Sequence, residues 1–247
     1  MVLVTGPTGS GKTTSLYTAL EMLNQADRNI VTVEDPVEYV LEGINQAQVN
    51  VKSGFTFSNY LRSILRQDPD VIMIGEIRDL ETSEIAVQAA ITGHLVLSTL
   101  HTNDAPGAVT RLLDMGVAPF MVASSLLGVV AQRLVRRVCS NCRQECAPGE
   151  NEAEFAGIKP GAMLFDGAGC SKCGFTGYRG RIAVYEVMPL SPQIQKMILK
   201  GAAAEELREA AVGEGMTALK DDGIKKALAG YTTIKEIMRV AFRERSF

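Results

Sequence analysis

Four short apolar runs set the rhythm of the first hundred residues: Met1-Val2-Leu3-Val4, Ile30-Val31-Thr32-Val33, Val71-Ile72-Met73-Ile74 and Leu95-Val96-Leu97-Ser98-Thr99. Short unbroken apolar runs bounded by turn residues are the pattern of strands buried on both faces. Between them the apolar spacing changes to that of helices. Leu16, Ala19, Leu20 and Leu23 share one helical face; Leu61, Ile64 and Leu65 share another; Ile85, Ala86, Ala89 and Ala90 share a third. Ser58 and Thr82 are the expected caps of the second and third of these helices, and Gly93 the expected stop of the third. Residues 40–57 follow neither period and read as loop with short strands. Strands alternating with helices predict an α/β fold.

Further along, Asp104 and Pro106 open a helix that runs to Gly116. Pro119 opens another through Leu126, Leu127 and Val130, ending in Arg133, Arg136 and Arg137. Ile182–Val187 reads as a strand that returns to the domain. Ser191-Pro192 caps a helix with Ile194, Met197 and Ile198. Three more follow, over Ala202–Val212, about Met216–Ala229 and Thr233–Val240, with Thr233 and Glu236 as a capping box for the last.

Composition narrows the class without naming a chemistry. The chain has 247 residues, 46% hydrophobic and 21% charged, enough for one large domain or a domain with appendages. A net charge of −3 supplies no global basic field for nucleic acid. No apolar run reaches the roughly 18 residues of a membrane span, and the start carries no signal-peptide pattern. A strand opening at residue 2 is abrupt, which points to a piece of something longer.

The chemistry begins where the first strand ends. Gly6-Pro7-Thr8-Gly9-Ser10-Gly11-Lys12-Thr13 has the form G-x-x-x-x-G-K-[ST], followed by Thr14 and a helical pattern. Its glycines let backbone N–H groups turn toward phosphate oxygens, and the helix N-terminus adds partial positive charge. Lys12 is placed to reach the β- and γ-phosphates, and the Thr13 hydroxyl to hold Mg²⁺. Polar residues close the other runs. Glu34-Asp35-Pro36-Val37-Glu38 follows the second; Gly75-Glu76-Ile77-Arg78-Asp79 follows the third; Leu100-His101-Thr102-Asn103-Asp104 follows the fourth. In open α/β sheets ligands sit beyond the carboxyl ends of the strands. Glu34 and Asp35 are thus expected near the phosphates and metal, and Glu76 and His101 at the same edge. Four apolar residues and then Glu76 have the Walker B arrangement. His94 precedes the fourth strand, at its opposite end, and suits a structural or interface role. Arg62 and Arg66, four apart, are expected on one helical face, either solvated or sensing phosphate; Arg78 is a third candidate for charge stabilisation.

The chain has five cysteines, four of them in two C-x-x-C pairs. Cys139 and Cys142 are separated from Cys170 and Cys173 by 27 residues, more than in a compact ribbon, as an inserted segment would produce. Two such turns brought together make a tetrahedral zinc site of four cysteines, structural because all four ligands are protein sulfurs. Free or redox-active thiols are the alternative. Cys146 has no partner by spacing.

In order along the chain, Gly6–Thr13, Val33–Tyr39, Leu61–Asp70, Gly75–Asp79 and the stretch from Thr92-Gly93-His94 to Asn103 resemble the Walker A, Asp, Walker B and His boxes of the secretion ATPase superfamily. The cysteine pairs and Gly177-Tyr178-Arg179-Gly180-Arg181 resemble the branch that powers type II secretion and type IV pilus assembly; pilus retraction ATPases lack the cysteine module. The similarity covers nearly the whole chain. It implies an α/β protein: a RecA-like P-loop NTPase core over residues 1–137, a tetracysteine zinc-binding module over 138–187 and a C-terminal helical subdomain over 188–247. It implies a Mg²⁺-dependent ATPase, cytoplasmic and hexameric at full length, docked on inner-membrane secretion or pilus machinery and not on nucleic acid. Members carry N-terminal domains before the core, whereas this chain begins at the core.

The expected reaction is in-line attack of water on the γ-phosphate of ATP. Glu76 would support the metal or its water, Glu34 would orient or deprotonate the water, and His101 would report the γ-phosphate. Which glutamate is the base stays open. Two other classes are compatible with a P-loop: a nucleic-acid-translocating RecA-like motor, and a nucleotide-gated scaffold that does not hydrolyse. The acidic net charge argues against the first, and intact Glu34, Glu76 and His101 against the second.

Overall fold

The computed structural model describes residues 1–158 and 162–242. Its strands are β1 (Val2–Thr5), β2 (Ile30–Glu34), β3 (Asn45–Gln48), β4 (Val71–Ile74), β5 (Leu95–Leu100), β6 (Gly128–Val138), β7 (Arg143–Cys146), β8 (Leu164–Gly167) and β9 (Tyr178–Pro189). Its helices are α1 (Lys12–Leu23), α2 (Phe57–Ile64), α3 (Leu80–Ile91), α4 (Ala105–Asp114), α5 (Pro119–Ser125), α6 (Glu150–Ala156), α7 (Pro192–Leu199), α8 (Ala204–Gly213), α9 (Leu219–Leu228) and α10 (Ile234–Phe242). They form two compact units, Met1–Ala131 with Val187–Met216, and Gln132–Glu186 with the segment from Thr217 onward.

The four apolar runs become β1, β2, β4 and β5, consecutive in a sheet of order β3-β2-β4-β5-β1-β6-β9. Parallel pairing joins β2 to β3 and β4, β4 to β5, and β1 to β5 and β6. Parallel neighbours need crossover connections, and these carry the helices. All four strands therefore end on the same edge. Val4, Leu16, Leu20, Ile30, Met73 and Leu97 form one buried cluster that fastens α1 to the sheet.

The pattern predicts a helix from Pro119 to Arg137; instead α5 stops at Ser125 and the chain becomes β6. Leu126 is extended (φ −83°, ψ 125°), and the Leu127 N–H donates to the Met1 carbonyl at 2.7 Å. β1 would otherwise leave one row of backbone groups buried and unpaired, and β-branched Val129 and Val130 suit the strand that pairs them. Gly128 suits a crowded position, since a Cβ there would lie 3.2 Å from the Met188 carbonyl oxygen.

Caps also shift. Thr56 and Asp79 cap α2 and α3, accepting from the N–H groups of Asn59 (3.3 Å) and Thr82 (2.8 Å), so Ser58 and Thr82 lie inside the first turns. Because α2 stops at Ile64, Arg66 lies beyond it and shares no helical face with Arg62. At α10 only half of a capping box forms: Thr233 accepts from the Glu236 N–H at 3.2 Å, while the Glu236 carboxylate turns elsewhere. The compact units also cut across the boundaries drawn from sequence. Helices α7 and α8 pack on α5 and α4 in the first unit, where Arg208 and Asp104 pair at 2.6 Å. Helices α9 and α10 pack on β8 and α6 in the second.

The second unit has a small apolar interior, Val135, Val184 and Ile237 in one cluster and Leu164, Ala227 and Ile234 in another. Beside it lies the Glu236 carboxylate, 1% exposed. It accepts from the Arg136 N–H and guanidinium at 2.9 and 2.8 Å and from Arg239 at 3.0 and 2.9 Å. Burial pushes its pKa up, but the hydrogen bonds from Arg239 and Arg136 overbalance this and hold it at about 2. A folded pKa below the unfolded value of about 4.3 means stability present above that pH and lost as pH falls toward 2. Glu236→Gln is therefore expected to destabilise the protein by about 1–3 kcal/mol at neutral pH, less than a fully buried pair because both guanidinium groups reach solvent. Denaturant unfolding of both proteins from pH 7 to 2 checks this: their difference should shrink as the pH falls through that window.

Candidate functional site

β1 ends at Thr5, and the next six residues reverse the chain into α1. Gly9 (φ 78°) and Gly11 (φ 87°) take left-handed backbone that side-chain-bearing residues resist. Pro7, Thr8 and Gly9 are exposed on the rim, while Lys12 is 9% exposed and folds back across the loop. Its Nζ donates to the carbonyls of Gly6 at 2.8 Å and Pro7 at 3.3 Å. The result is a concave loop with a cation held over it, at the N-terminus of a helix whose first N–H groups lack intrahelical acceptors. That donor set, with the Thr13 hydroxyl beside it, fits a nucleotide phosphate chain and its Mg²⁺.

The loop is tied to its neighbour. The Thr5 hydroxyl accepts from the Thr102 N–H at 2.9 Å and lies 2.7 Å from the Thr102 hydroxyl and 3.1 Å from the Leu100 carbonyl. His101 thus sits in a turn braced against the strand that launches the loop. At the end of β4, the Thr99 hydroxyl donates to the Gly75 carbonyl at 2.7 Å, and the Ile77 N–H to the Thr99 carbonyl at 3.1 Å. A Cβ on Gly75 would lie 3.3 Å from Glu34 Cα, so the ends of β4 and β2 approach closely and a side chain there would press on the Glu34 backbone.

Two carboxylates occupy this edge in different surroundings. Glu34 is 2% exposed and meets three neutral donors: the Tyr17 hydroxyl, the Thr32 hydroxyl at 2.5 Å and the Gln46 amide at 3.2 Å. Glu76 is hydrogen-bonded to the Arg78 guanidinium on one oxygen and lies 3.3 Å from His101 Nε2 on the other. Burial pushes the Glu76 pKa up, but Arg78 and then His101 outweigh it and hold it below the ordinary carboxylate range. Glu34, Glu76, His101 and the phosphate loop follow β2, β4, β5 and β1, in the order those strands take across the sheet.

The other candidates separate. Arg78 joins this cluster through Glu76, its side chain 62% exposed. Arg62 instead pairs with Glu81 at 2.7 Å on an exposed surface, and Arg66 is exposed in the turn after α2. His94 Nδ1 lies 2.9 Å from the Ala89 carbonyl and 3.2 Å from the Thr92 hydroxyl, at the end of α3. Sequence reasoning misses Tyr17, Thr32, Gln46, Thr5 and Thr102. A tyrosine in an apolar helical stripe is a detectable oddity, but no spacing brings Gln46 to Glu34.

The four paired cysteines converge. Their sulfurs all lie within 4.8 Å of one another, with Cys139–Cys170 and Cys142–Cys173 at 3.9 Å and Cys170–Cys173 at 3.8 Å. Zn–S bonds of about 2.3 Å at tetrahedral angles require sulfur pairs about 3.8 Å apart. The cluster fits zinc. Cys146 lies apart, on the wall of a cavity of about 340 Å³ lined also by Phe165 and Ile234, where burial first and Asp166 second push its thiol pKa up.

Comparison with known proteins agrees with this arrangement. The family described as type II/IV secretion system protein matches residues 1–239. Type II secretion system protein E of Pectobacterium carotovorum is 54% identical over 99% of this chain and 49% of its own length. The type IV pilus assembly ATPase PilB of Myxococcus xanthus is 53% identical over 96% of this chain and 43% of its own. The chain therefore spans about half the length of the curated relatives it matches. Among solved structures, the pilus retraction motor PilT with bound ADP superposes with a TM-score of 0.73 at 30% identity, over 97% of this chain and 60% of PilT. The Legionella pneumophila ATPase DotB gives 0.72 at 23% identity over 98% of this chain and 60% of its own, a likeness of fold alone. Among the described residues no helix is long and apolar enough to cross a membrane.

Elemental analysis of purified protein is expected to find one zinc per chain. Cys170→Ser should lose most of it and, because the metal closes a small interior, lower the unfolding midpoint of the second unit.

Proposed function

The chain belongs to the type II/IV secretion system protein family, and from that membership we propose that it is the Mg²⁺-dependent ATP-hydrolysing part of a motor for type II secretion or type IV pilus assembly. The observation that carries this reading is the set of strand ends described above, with two carboxylates and a histidine beside a phosphate loop. The ADP in the PilT structure supports a nucleotide as the occupant of that loop.

In this reading the loop N–H groups and Lys12 hold the phosphates, and Thr13 holds Mg²⁺. The metal, when bound, neutralises charge on the phosphate oxygens. Glu76 would hold the metal's water, and its ion pair with Arg78 keeps it an acceptor. Glu34 orients the attacking water, and His101, through the Thr102–Thr5 contacts, couples the γ-phosphate to the loop. Arg78 is exposed enough to leave Glu76 for a phosphate oxygen. We assign Arg62 and Arg66 to charge stabilisation across a subunit interface, as arginine fingers act. The working form is a hexamer of the full-length protein. It docks on an inner-membrane platform from the cytoplasm, where hydrolysis moves rigid parts against one another.

ATP binding and turnover measured against protein concentration test the proposal. Turnover per chain should rise with concentration as sites complete between subunits. Lys12→Ala should lose binding and turnover together. Glu76→Gln should keep ATP binding and lower turnover by about 10²–10⁴-fold. Absence of ATP binding, or a wild-type rate in Glu76→Gln, would overturn it.

A further inference from the structure

Of the buried residues on α1, Tyr17 alone carries a hydroxyl, and it is fully buried. That hydroxyl is a junction. It donates to Glu34 and accepts from the Glu38 N–H at 3.3 Å and from the Gln46 amide at 3.4 Å. Gln46, on β3, divides its side chain among several partners. Its amide nitrogen reaches Glu34 at 3.2 Å and the Tyr39 carbonyl at 3.2 Å, and its oxygen accepts from the Leu41 N–H at 2.6 Å. Burial, then the hydrogen bond to Glu34, raise the Tyr17 pKa well above the ordinary phenol value, so it stays a donor at every working pH.

A carboxylate offers about four acceptor positions. Tyr17, Thr32 and Gln46 each address one of them, and they come from three elements: α1, β2 and β3. The same α1 begins at the phosphate loop, so the Tyr17 hydroxyl sets Glu34 relative to that helix. Gln46 ties in the intervening loop, through its bonds to Tyr39 and Leu41. Pure core packing would need neither polar atom: an apolar ring fills the Tyr17 site, and an edge-strand aliphatic fills that of Gln46.

We propose that Tyr17 and Gln46 are positioning residues for hydrolysis, fixing the Glu34 carboxylate in one orientation with one acceptor position left for the attacking water. This rests on the reading of Glu34 as the group that orients that water. Neither residue touches the phosphate loop in the contacts described, so substrate affinity is set elsewhere. Losing either hydroxyl or amide leaves Glu34 free to turn, which lowers the rate of chemistry and not the strength of binding.

The test is a set of ATPase measurements on the full-length protein, steady-state and single-turnover, for wild type, Tyr17→Phe, Gln46→Leu, Glu34→Gln and Tyr17→Phe/Glu34→Gln. Tyr17→Phe keeps the ring volume, and Gln46→Leu lies on a partly exposed edge strand, so both should fold. Expected are a kcat lowered about tenfold or more in each, a KM for ATP within about twofold of wild type, and no further fall when Tyr17→Phe is added to Glu34→Gln. A merely structural tyrosine would lower the rate by the same factor in both backgrounds, and that result overturns the proposal. So does a kcat within about twofold of wild type in both single variants. Wild-type protein that binds ATP without turning it over would overturn the hydrolytic reading itself, and this inference with it.

Discussion

Everything at the strand edge that carries the phosphate loop depends on β1 being paired on both sides. Parallel ladders to β5 and β6 leave the strand no freedom to slide, and a one-residue slip would turn Thr5 away from Thr102. Its end therefore launches the phosphate loop from a fixed height beside His101. The two glycines at positive φ then turn the chain, and burial of Leu16 and Leu20 holds α1 in line behind the loop. Each later feature inherits this placement. Lys12 lies over the loop because α1 starts there, and Tyr17, packed in one cluster with Ile30 of β2, reaches Glu34 at that strand's end.

The two glutamates show how surroundings divide labour between identical groups. Glu34 lies among neutral donors, in a buried pocket where orientation is tightly set. Glu76 is paired with a guanidinium and a ring nitrogen, both on side chains that reach solvent. Neutral hydrogen bonds from three separate elements make a static mount. A charge pair to an exposed arginine can be exchanged for another partner at small cost, since exposed pairs contribute about 0–1 kcal/mol. The first arrangement suits alignment, and the second suits a group whose partners change when phosphate is bound.

The second unit solves a different problem. Its apolar clusters are small, so polar and ionic closure adds to what they hold together. Two devices supply it: four cysteine sulfurs at zinc-like spacing, and a buried carboxylate shared by Arg136 and Arg239. Close backbone contact between Gly167 and Gly177, where a Cβ on either would overlap the other's backbone, closes the turn that carries Cys170 and Cys173. Hydrogen bonds from the Cys139 N–H to the Gly177 carbonyl at 2.9 Å and from the Ala168 N–H to the Cys142 carbonyl at 3.0 Å join it to the other cysteine pair.

Local chemistry was readable because it is carried by neighbours in sequence. The loop Gly6–Thr13, the four core strands, the residues closing them and the cysteine pairs are each set by spacing, glycine and apolar period. Contacts between distant elements were not. Leu126 to Val138 presents an apolar run that suits either a helix or a strand, and only the open edge of β1 chose the strand. Arg62 and Arg66 have helical spacing, but the helix ends between them, and Glu81, nineteen residues on, takes the first. Residues 188–247 read as one helical subdomain, yet among the described residues the Arg208–Asp104 pair keeps α8 with the first unit, while Glu236 keeps α10 with the second. Sequence alone determined which groups can hold phosphate and metal, because backbone and side-chain chemistry are local. Tertiary structure decided which carboxylate is mounted and which is exchangeable, because burial and cross-strand partners such as Gln46 exist only once the sheet has formed.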